Sequence, residues 1–346
     1  MPKKQTTQKK VTRYFKKIFI KSKKRFLDFL SRRPHRTFRM TRRRDYIRTW
    51  QVPGYWAFTN EVRKILWSNK WLFSKYIILY SALSFLILGL MSDESYDILD
   101  ATINQIGGNV VAGELSMLVQ DVAVFAGVFA GAFDQTLSEG QQIYGLLLAL
   151  IGWLTVVWLL RQILAGHKQV RLRDALYSCA APLIATSIVA CVVVLQLIPF
   201  AIAVVGYGAA LAANIFSDPL LTILFWVCAA LLITLSLFWI TSSLIAMVVV
   251  TLPGMYPLRA LRASGDLVTS RRLRILYRYG WLALSVVVIW AVVLLPGIIL
   301  SRVQWLEWLP IVPLLVLLLS AWSILWGAAY VYLLYRKLVS DDTKPA

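Results

Sequence analysis

Long apolar runs divide this chain, and its Lys and Arg fall almost entirely on alternate sides of them. Residues 1–70 carry 22 of the 37 Lys and Arg. Residues 92–141 carry none and hold eight carboxylates: Asp93, Glu94, Asp97, Asp100, Glu114, Asp121, Asp134 and Glu139. Hydrocarbon does not tolerate stray cations, so basic loops stay on the cytoplasmic side of a bilayer and report sidedness. The 59% hydrophobic content exceeds the roughly 45–50% apolar share of soluble domains. An all-α polytopic protein of the cell membrane is expected, with six transmembrane helices and both termini cytoplasmic.

The apolar runs place the spans at about 71–91, 143–164, 175–200, 219–252, 279–300 and 310–335. Pro182 and Pro199 fall within the third span and are expected to kink it. Apolar sequence continues beyond it through Phe216, as an extension on the outer side. Ser217-Asp218-Pro219 is a sharp helix start, a capping residue followed by proline at the first helical position. The fourth span, 34 residues, measures ~51 Å at 1.5 Å per residue, against a hydrocarbon core of ~30 Å. It is expected to project into the cytoplasm. Trp305 and Trp308 are interfacial anchors in the outer turn before the sixth span. Residues 338–346 read as a polar, disordered cytoplasmic tail.

Residues 92–142 form an acidic outer loop. Its stretch 107–133 includes Gly127-x-x-x-Gly131, a spacing that favours close helix packing in membranes. Glu114 and Asp121 interrupt it, and the uninterrupted part, Val122 to Phe133, is too short to span. An outer amphipathic or re-entrant helix is expected.

The cytoplasmic arm, residues 1–70, holds nearly all of the net charge of +20. Over 11–30, Val11, Tyr14, Phe15, Ile18, Phe19, Phe26, Phe29 and Leu30 fall on one helical face, with Arg13, Lys16, Lys17, Lys23 and Lys24 opposite. Such a helix lies in the plane of an anionic membrane surface. An arginine-dense stretch follows, with Arg32, Arg33, Arg36, Arg39, Arg42, Arg43, Arg44 and Arg48. Val52-Pro53-Gly54-Tyr55-Trp56 reads as a turn with aromatic anchors, and 57–70 as a short amphipathic helix entering the membrane.

Catalysis needs titratable groups held in position, and no Asp, Glu, Lys or His lies near the middle of any span. His35 and His167 sit in basic sequence without neighbours at metal-ligand spacing. Cys179, Cys191 and Cys228 lie in apolar runs and read as free, buried thiols. No phosphate-binding, dinucleotide-binding or zinc-protease motif occurs. Ser236, Thr241, Ser242 and Ser243 are expected to bond neighbouring helices or preceding carbonyls. No enzyme activity, cofactor or metal is therefore expected.

The loop from Met255 to Arg278 carries Arg259, Arg262, Arg271 and Arg272. Leu258, Leu261, Leu267 and Val268 recur at helical spacing, opposite Arg259, Arg262 and Asp266. Arg262 and Asp266 are spaced for an i,i+4 pair, so a short interfacial helix between spans four and five is predicted. The stretch Val250-Thr251-Leu252-Pro253, with Pro257-Leu258-Arg259-Ala260-Leu261-Arg262-Ala263-Ser264, resembles the membrane domain found beside some bacterial glycerophosphodiester phosphodiesterases and related uncharacterised membrane families. The resemblance covers roughly residues 60–338 and implies a six-helix membrane domain with no catalytic residues. The phosphodiesterase barrel is absent, and the long arm and acidic loop depart from the pattern.

Each basic residue near an anionic leaflet contributes about 1 kcal/mol, and arginine matches phosphate geometry. The expected function is a non-enzymatic membrane anchor or scaffold whose basic residues, in the arm and at Arg259, Arg262, Arg271 and Arg272, bind anionic phospholipids or a cytoplasmic protein partner. Nucleic acid is the weaker candidate, because no RNA-binding motif is matched and the arm is tethered beside a bilayer. The alternative is a permease or membrane subunit of a transporter, suggested by the proline-interrupted third span and the over-long fourth.

Overall fold

The computed structural model describes residues 52–88, 139–167, 169–213, 217–269, 271–301 and 311–343. The arm up to Gln51, including its predicted amphipathic helix, the acidic loop as far as 138 with its 107–133 segment, and the 302–310 turn lie outside the described residues, while 139–142, expected in that loop, begin a helix. Every described element is helical: α1 Tyr55–Ser68, α2 Lys70–Leu88, α3 Glu139–Leu164, α4 Leu172–Ser178, α5 Leu183–Ala212, α6 Pro219–Val249, α7 Pro257–Val268, α8 Arg272–Ser301 and α9 Ile311–Thr343. Six of them, α2, α3, α5, α6, α8 and α9, are long and apolar enough to cross a membrane. In hydrocarbon a backbone must satisfy its own polar groups, which a helix does within one segment.

The helices alternate in direction. Arg161 near the end of α3 reaches Thr251 just after α6. Trp281 in α8 and Lys337 in α9 both reach α1, directly before α2. The starts of α2 and α8 and the ends of α3, α6 and α9 therefore share one end of the bundle. That end carries Arg161, Arg259, Arg262, Arg278 and Lys337 and is here termed the basic end.

The central helix is α9, which packs on α8, α3, α2, α6 and α1. Half of its membrane-length stretch is buried, against 11% for α5 and α6. The buried core runs from Phe58 and Val62 through Val156, Leu159 and Leu160 to Ile245–Val250 and Ala328–Leu334, all close to the basic end. Toward the other end the shafts of α5 and α6 present Leu195, Val205, Ile223 and Leu231 outward, as lipid-facing surfaces do. Two indole–hydroxyl bonds lace α8 to α9: Trp290 Nε1 donates to Ser323 Oγ at 2.8 Å and Trp326 Nε1 to Ser285 Oγ at 3.1 Å. In a medium without hydrophobic drive such polar contacts fix helix register.

Several boundaries differ from those expected. Residues 172–178 form the separate helix α4, and α5 starts only at Leu183. Pro182 precedes α5 and its carbonyl accepts from Thr186 N, because proline suits a helix entry and not an interior. Pro199 does lie inside α5, which continues without interruption to Ala212. α8 begins at Arg272, so Arg272, Arg274 and Arg278 are helical. α9 continues to Thr343 in place of a disordered tail after 338, since Leu338 is fully buried and Asp341 nearly so. α1 ends in a turn at Asn69 and lies against α9 and α2; it does not run on into the first span.

α6 starts as expected, with Asp218 accepting from Leu220 N at 2.9 Å and proline at the first position. Its 31 residues measure ~46 Å, well over the ~30 Å of a hydrocarbon core. At its foot Thr241, Ser243 and Ile245–Val249 are buried among α5, α7, α8 and α9. Its hydroxyls divide between two uses. Thr241 and Ser242 bond back to the carbonyls of Phe238 and Trp239. Ser236 Oγ donates to Gln196 O and Ser243 Oγ to Gln196 Oε1, each at 2.6 Å, joining α5 to α6. Replacing Ser243 with alanine is expected to destabilise the hairpin by about 0.6 kcal/mol and no more than about 1.7. A double-mutant cycle with Gln196→Leu measures the coupling, and zero coupling would dismiss the bond as a stabilising contact.

Candidate functional site: the basic end

Three features meet at the basic end: a clamp on α1, the amphipathic helix α7, and a cavity beside Arg161. The clamp begins at Val52-Pro53-Gly54, which is extended, with Gly54 as the cap of α1. Phe58 and Val62, one turn apart on α1, are fully buried. The Phe58 ring meets Tyr330 of α9 edge-on, with centroids 4.8 Å apart. Arg278 of α8, itself buried, donates through Nη2 to the Pro53 carbonyl. Its guanidinium lies 5.2 Å from the centroids of both Tyr55 and Phe58, within range for cation–π attraction.

Trp281, one turn further along α8, donates to Thr59 Oγ1 at 3.0 Å and packs against Tyr55 and Trp56. Midway along α1, Lys337 Nζ lies 2.9 Å from Glu61 Oε1. That pair is part-exposed and contributes little energy, but it fixes the rotation of α1 against α9. The aromatic anchors Tyr55 and Trp56 thus grip α8, and the first described residues after the arm are held by a cation, two rings and an indole.

α7 buries Ala260, Ser264 and Val268, at i, i+4 and i+8, against α6. Small residues there let the two helices approach closely. Arg259, Arg262 and Asp266 are exposed, as their spacing predicts, and no ion pair joins Arg262 to Asp266 among the described residues. Leu258 is exposed, so it is not part of the buried face.

Arg271 and Arg272 behave differently from Arg259 and Arg262. Arg271 is only 3% exposed. Arg272 lies over the Phe238 ring at 3.9 Å and donates from Nη1 to the Phe238 carbonyl at 3.1 Å. Arg271 is thus buried in the protein, and Arg272 braces α6 at Phe238, because it sits where α8 starts against that helix. Lys16, Lys17, Lys23, Lys24, Arg32, Arg33, Arg36, Arg39, Arg42, Arg43, Arg44 and Arg48 lie outside the described residues.

The cavity opens between the end of α3, the α4–α5 turn and the segment after α6, and has a volume of about 410 Å³. Trp158, Pro182, Ala185 and Leu252 supply apolar wall; Arg161, Cys179 and Thr251 supply the polar part. Arg161 is half-buried. Its Nη2 donates to the Thr251 carbonyl at 3.0 Å and to Thr251 Oγ1 at 2.9 Å. Tyr332 and Tyr335 of α9 stand beside the same guanidinium. Cys179 is buried and donates to the Leu176 carbonyl. Burial pushes its thiol above the usual range, which keeps it neutral and unreactive near neutral pH. Gly254, with φ of 74°, turns the chain at the mouth, a backbone state that favours glycine.

No family model matches the chain, and no curated protein or solved structure is similar to it by the same comparisons. Among the described residues no group of three or more His, Cys, Asp or Glu is placed to hold a metal ion.

Sequence reasoning found the basic loops but not Arg278, Gln196 or the Arg161 cavity. A cation within the first turns of an apolar run was the one signal for Arg278. Nothing local marks the cavity, since its walls come from segments some 90 residues apart.

Proposed function

We propose that this chain is a non-enzymatic multi-pass anchor of the cell membrane, whose basic arm binds anionic phospholipid on the cytoplasmic face. The docking of α1 onto α8 and α9 carries the proposal. It holds the root of the arm at the end of the bundle where Arg259 and Arg262 are also exposed. With both termini cytoplasmic, these cations and the 22 Lys and Arg of residues 1–70 face one leaflet. Each contributes about 1 kcal/mol near an anionic surface, so even partial engagement holds the arm down. A cytoplasmic protein with an acidic surface would compete for the same residues. The transporter alternative draws its support from the Arg161 cavity, whose walls are largely apolar.

The arm supplies its own probe, because trypsin cleaves after Lys and Arg. In nanodiscs of the full chain, cleavage of residues 1–51 is expected to slow by about tenfold or more when neutral phosphatidylcholine is replaced by a mixture with phosphatidylglycerol. In 1 M salt, where the screening length falls to about 3 Å, the protection should disappear. Equal cleavage rates in both discs at low salt would remove the proposal.

A further inference from the structure

We propose that the cavity beside Arg161 binds one phosphate-headed lipid, with its head on the guanidinium and the start of its acyl chain along the apolar walls. The proposal does not depend on the arm, since no residue of the arm lines the cavity.

The charge balance points to an anion. Arg161 is half-buried, and among the described residues no carboxylate pairs with it. Its two hydrogen bonds to Thr251 both leave through Nη2 toward neutral acceptors, and the Tyr332 hydroxyl is a third neutral partner, while a guanidinium carries five N–H donors in a fork that fits phosphate oxygens. A partly buried cation without a counter-charge is costly, and an incoming anion relieves that cost.

The walls point to an amphiphile. Trp158, Pro182, Ala185 and Leu252 face the space, a wall that is apolar apart from one indole N–H. At roughly 30 Å³ per water-sized group, the 410 Å³ volume exceeds a lone phosphate several-fold. It accommodates a glycerol phosphate and the first methylenes of a chain. The position fits as well. Arg161 lies within the last turn of the span that ends at Leu164, the depth at which lipid head groups sit. Ala181, Pro253 and Gly254 are exposed at the rim, so the cavity opens to its surroundings.

Native mass spectrometry of the full chain in nonionic detergent tests this, with dioleoylphosphatidylglycerol, dioleoylphosphatidylcholine and inorganic phosphate as separate probes. Spectra are taken in about 1 M ammonium acetate, which screens the exposed cations of the arm, and are compared between wild type and variants. Arg161→Gln removes the partner of the head group. Because Arg161 also secures the end of α6, Ala185→Phe provides a second variant, filling the walls while leaving the guanidinium in place. Arg259→Gln, on an exposed face, is the control.

Phosphatidylglycerol binding is expected to fall by about tenfold or more in both cavity variants and to hold in the control, as loss of a charge-assisted bond implies. Phosphatidylcholine and free phosphate should bind at least tenfold more weakly than phosphatidylglycerol in wild type. Unchanged phosphatidylglycerol binding in Ala185→Phe would overturn the proposal. So would free phosphate binding as tightly as the lipid, because the chain would then contribute nothing.

Discussion

Replacing Phe58 with alanine is expected to release α1 from the bundle at a cost of about 3–5 kcal/mol. Phe58 is fully buried, and it is the ring against which both Tyr330 and Arg278 are set. Its removal empties the centre of the clamp and leaves the Arg278 guanidinium with one aromatic face in place of two. Val62, the Trp281–Thr59 and Arg278–Pro53 bonds and the Lys337–Glu61 pair remain, but a part-exposed ion pair and two hydrogen bonds hold a 14-residue helix weakly. Trypsin acting on nanodiscs of neutral lipid gives the measurement, since Arg63 and Lys64 lie within α1. Cleavage there should accelerate by orders of magnitude in the variant, while thermal unfolding of the spans changes little. Tyr55, 42% exposed, is the comparison, and its replacement with alanine should have a much smaller effect. If Phe58→Ala left cleavage at Arg63 and Lys64 unchanged, the clamp would not be what holds the arm in place.

The second large effect is expected within the membrane. A Cβ added at Gly152 would lie 2.7 Å from the Tyr80 ring and 2.8 Å from the Tyr76 hydroxyl. Both tyrosines are buried in α2, so neither ring can swing away without opening the α2–α3 contact. Gly152→Leu should therefore cost about 3 kcal/mol, the upper part of the range for overpacking, and Gly152→Ala somewhat less. The readout is the unfolding transition of the purified protein in detergent. Gly208 has nothing within 4 Å of an added Cβ, so Gly208→Leu is the matched control and should leave the transition in place. Equal effects at the two sites would mean that bulk alone is being measured and not the fit of α3 against α2.

Why was Gly152 silent in the sequence while the six spans were plain? A run of some 20 apolar residues announces a membrane-length helix by length alone. The faces of such a helix are all apolar, so periodicity does not say which one meets a neighbour. Gly152, Gln196 and Ser285 acquire their roles only from residues on other helices, Tyr80, Ser243 and Trp326 respectively. Outside the spans the period did carry information. Arg259, Arg262 and Asp266 were placed on the exposed face of α7, and Asp218-Pro219 at the start of α6. The late start of α5 is hidden in the sequence because residues 175–182 carry no charge to mark the turn before Leu183. The α9 extension was missed because Arg336-Lys337 resembles a stop, while Leu338 beyond it is fully buried.

The α5–α6 hairpin is gripped at one end and bare along most of its length, which makes it mechanically a cantilever. A bilayer that thickens or thins exerts only fractions of a kcal/mol per ångström of mismatch, and tilting of a free shaft absorbs that load. The foot, enclosed by α7, α8 and α9, has no such freedom. Lipid composition can thus reorient the outer parts of α5 and α6 without disturbing the spacing between Arg161 and Thr251.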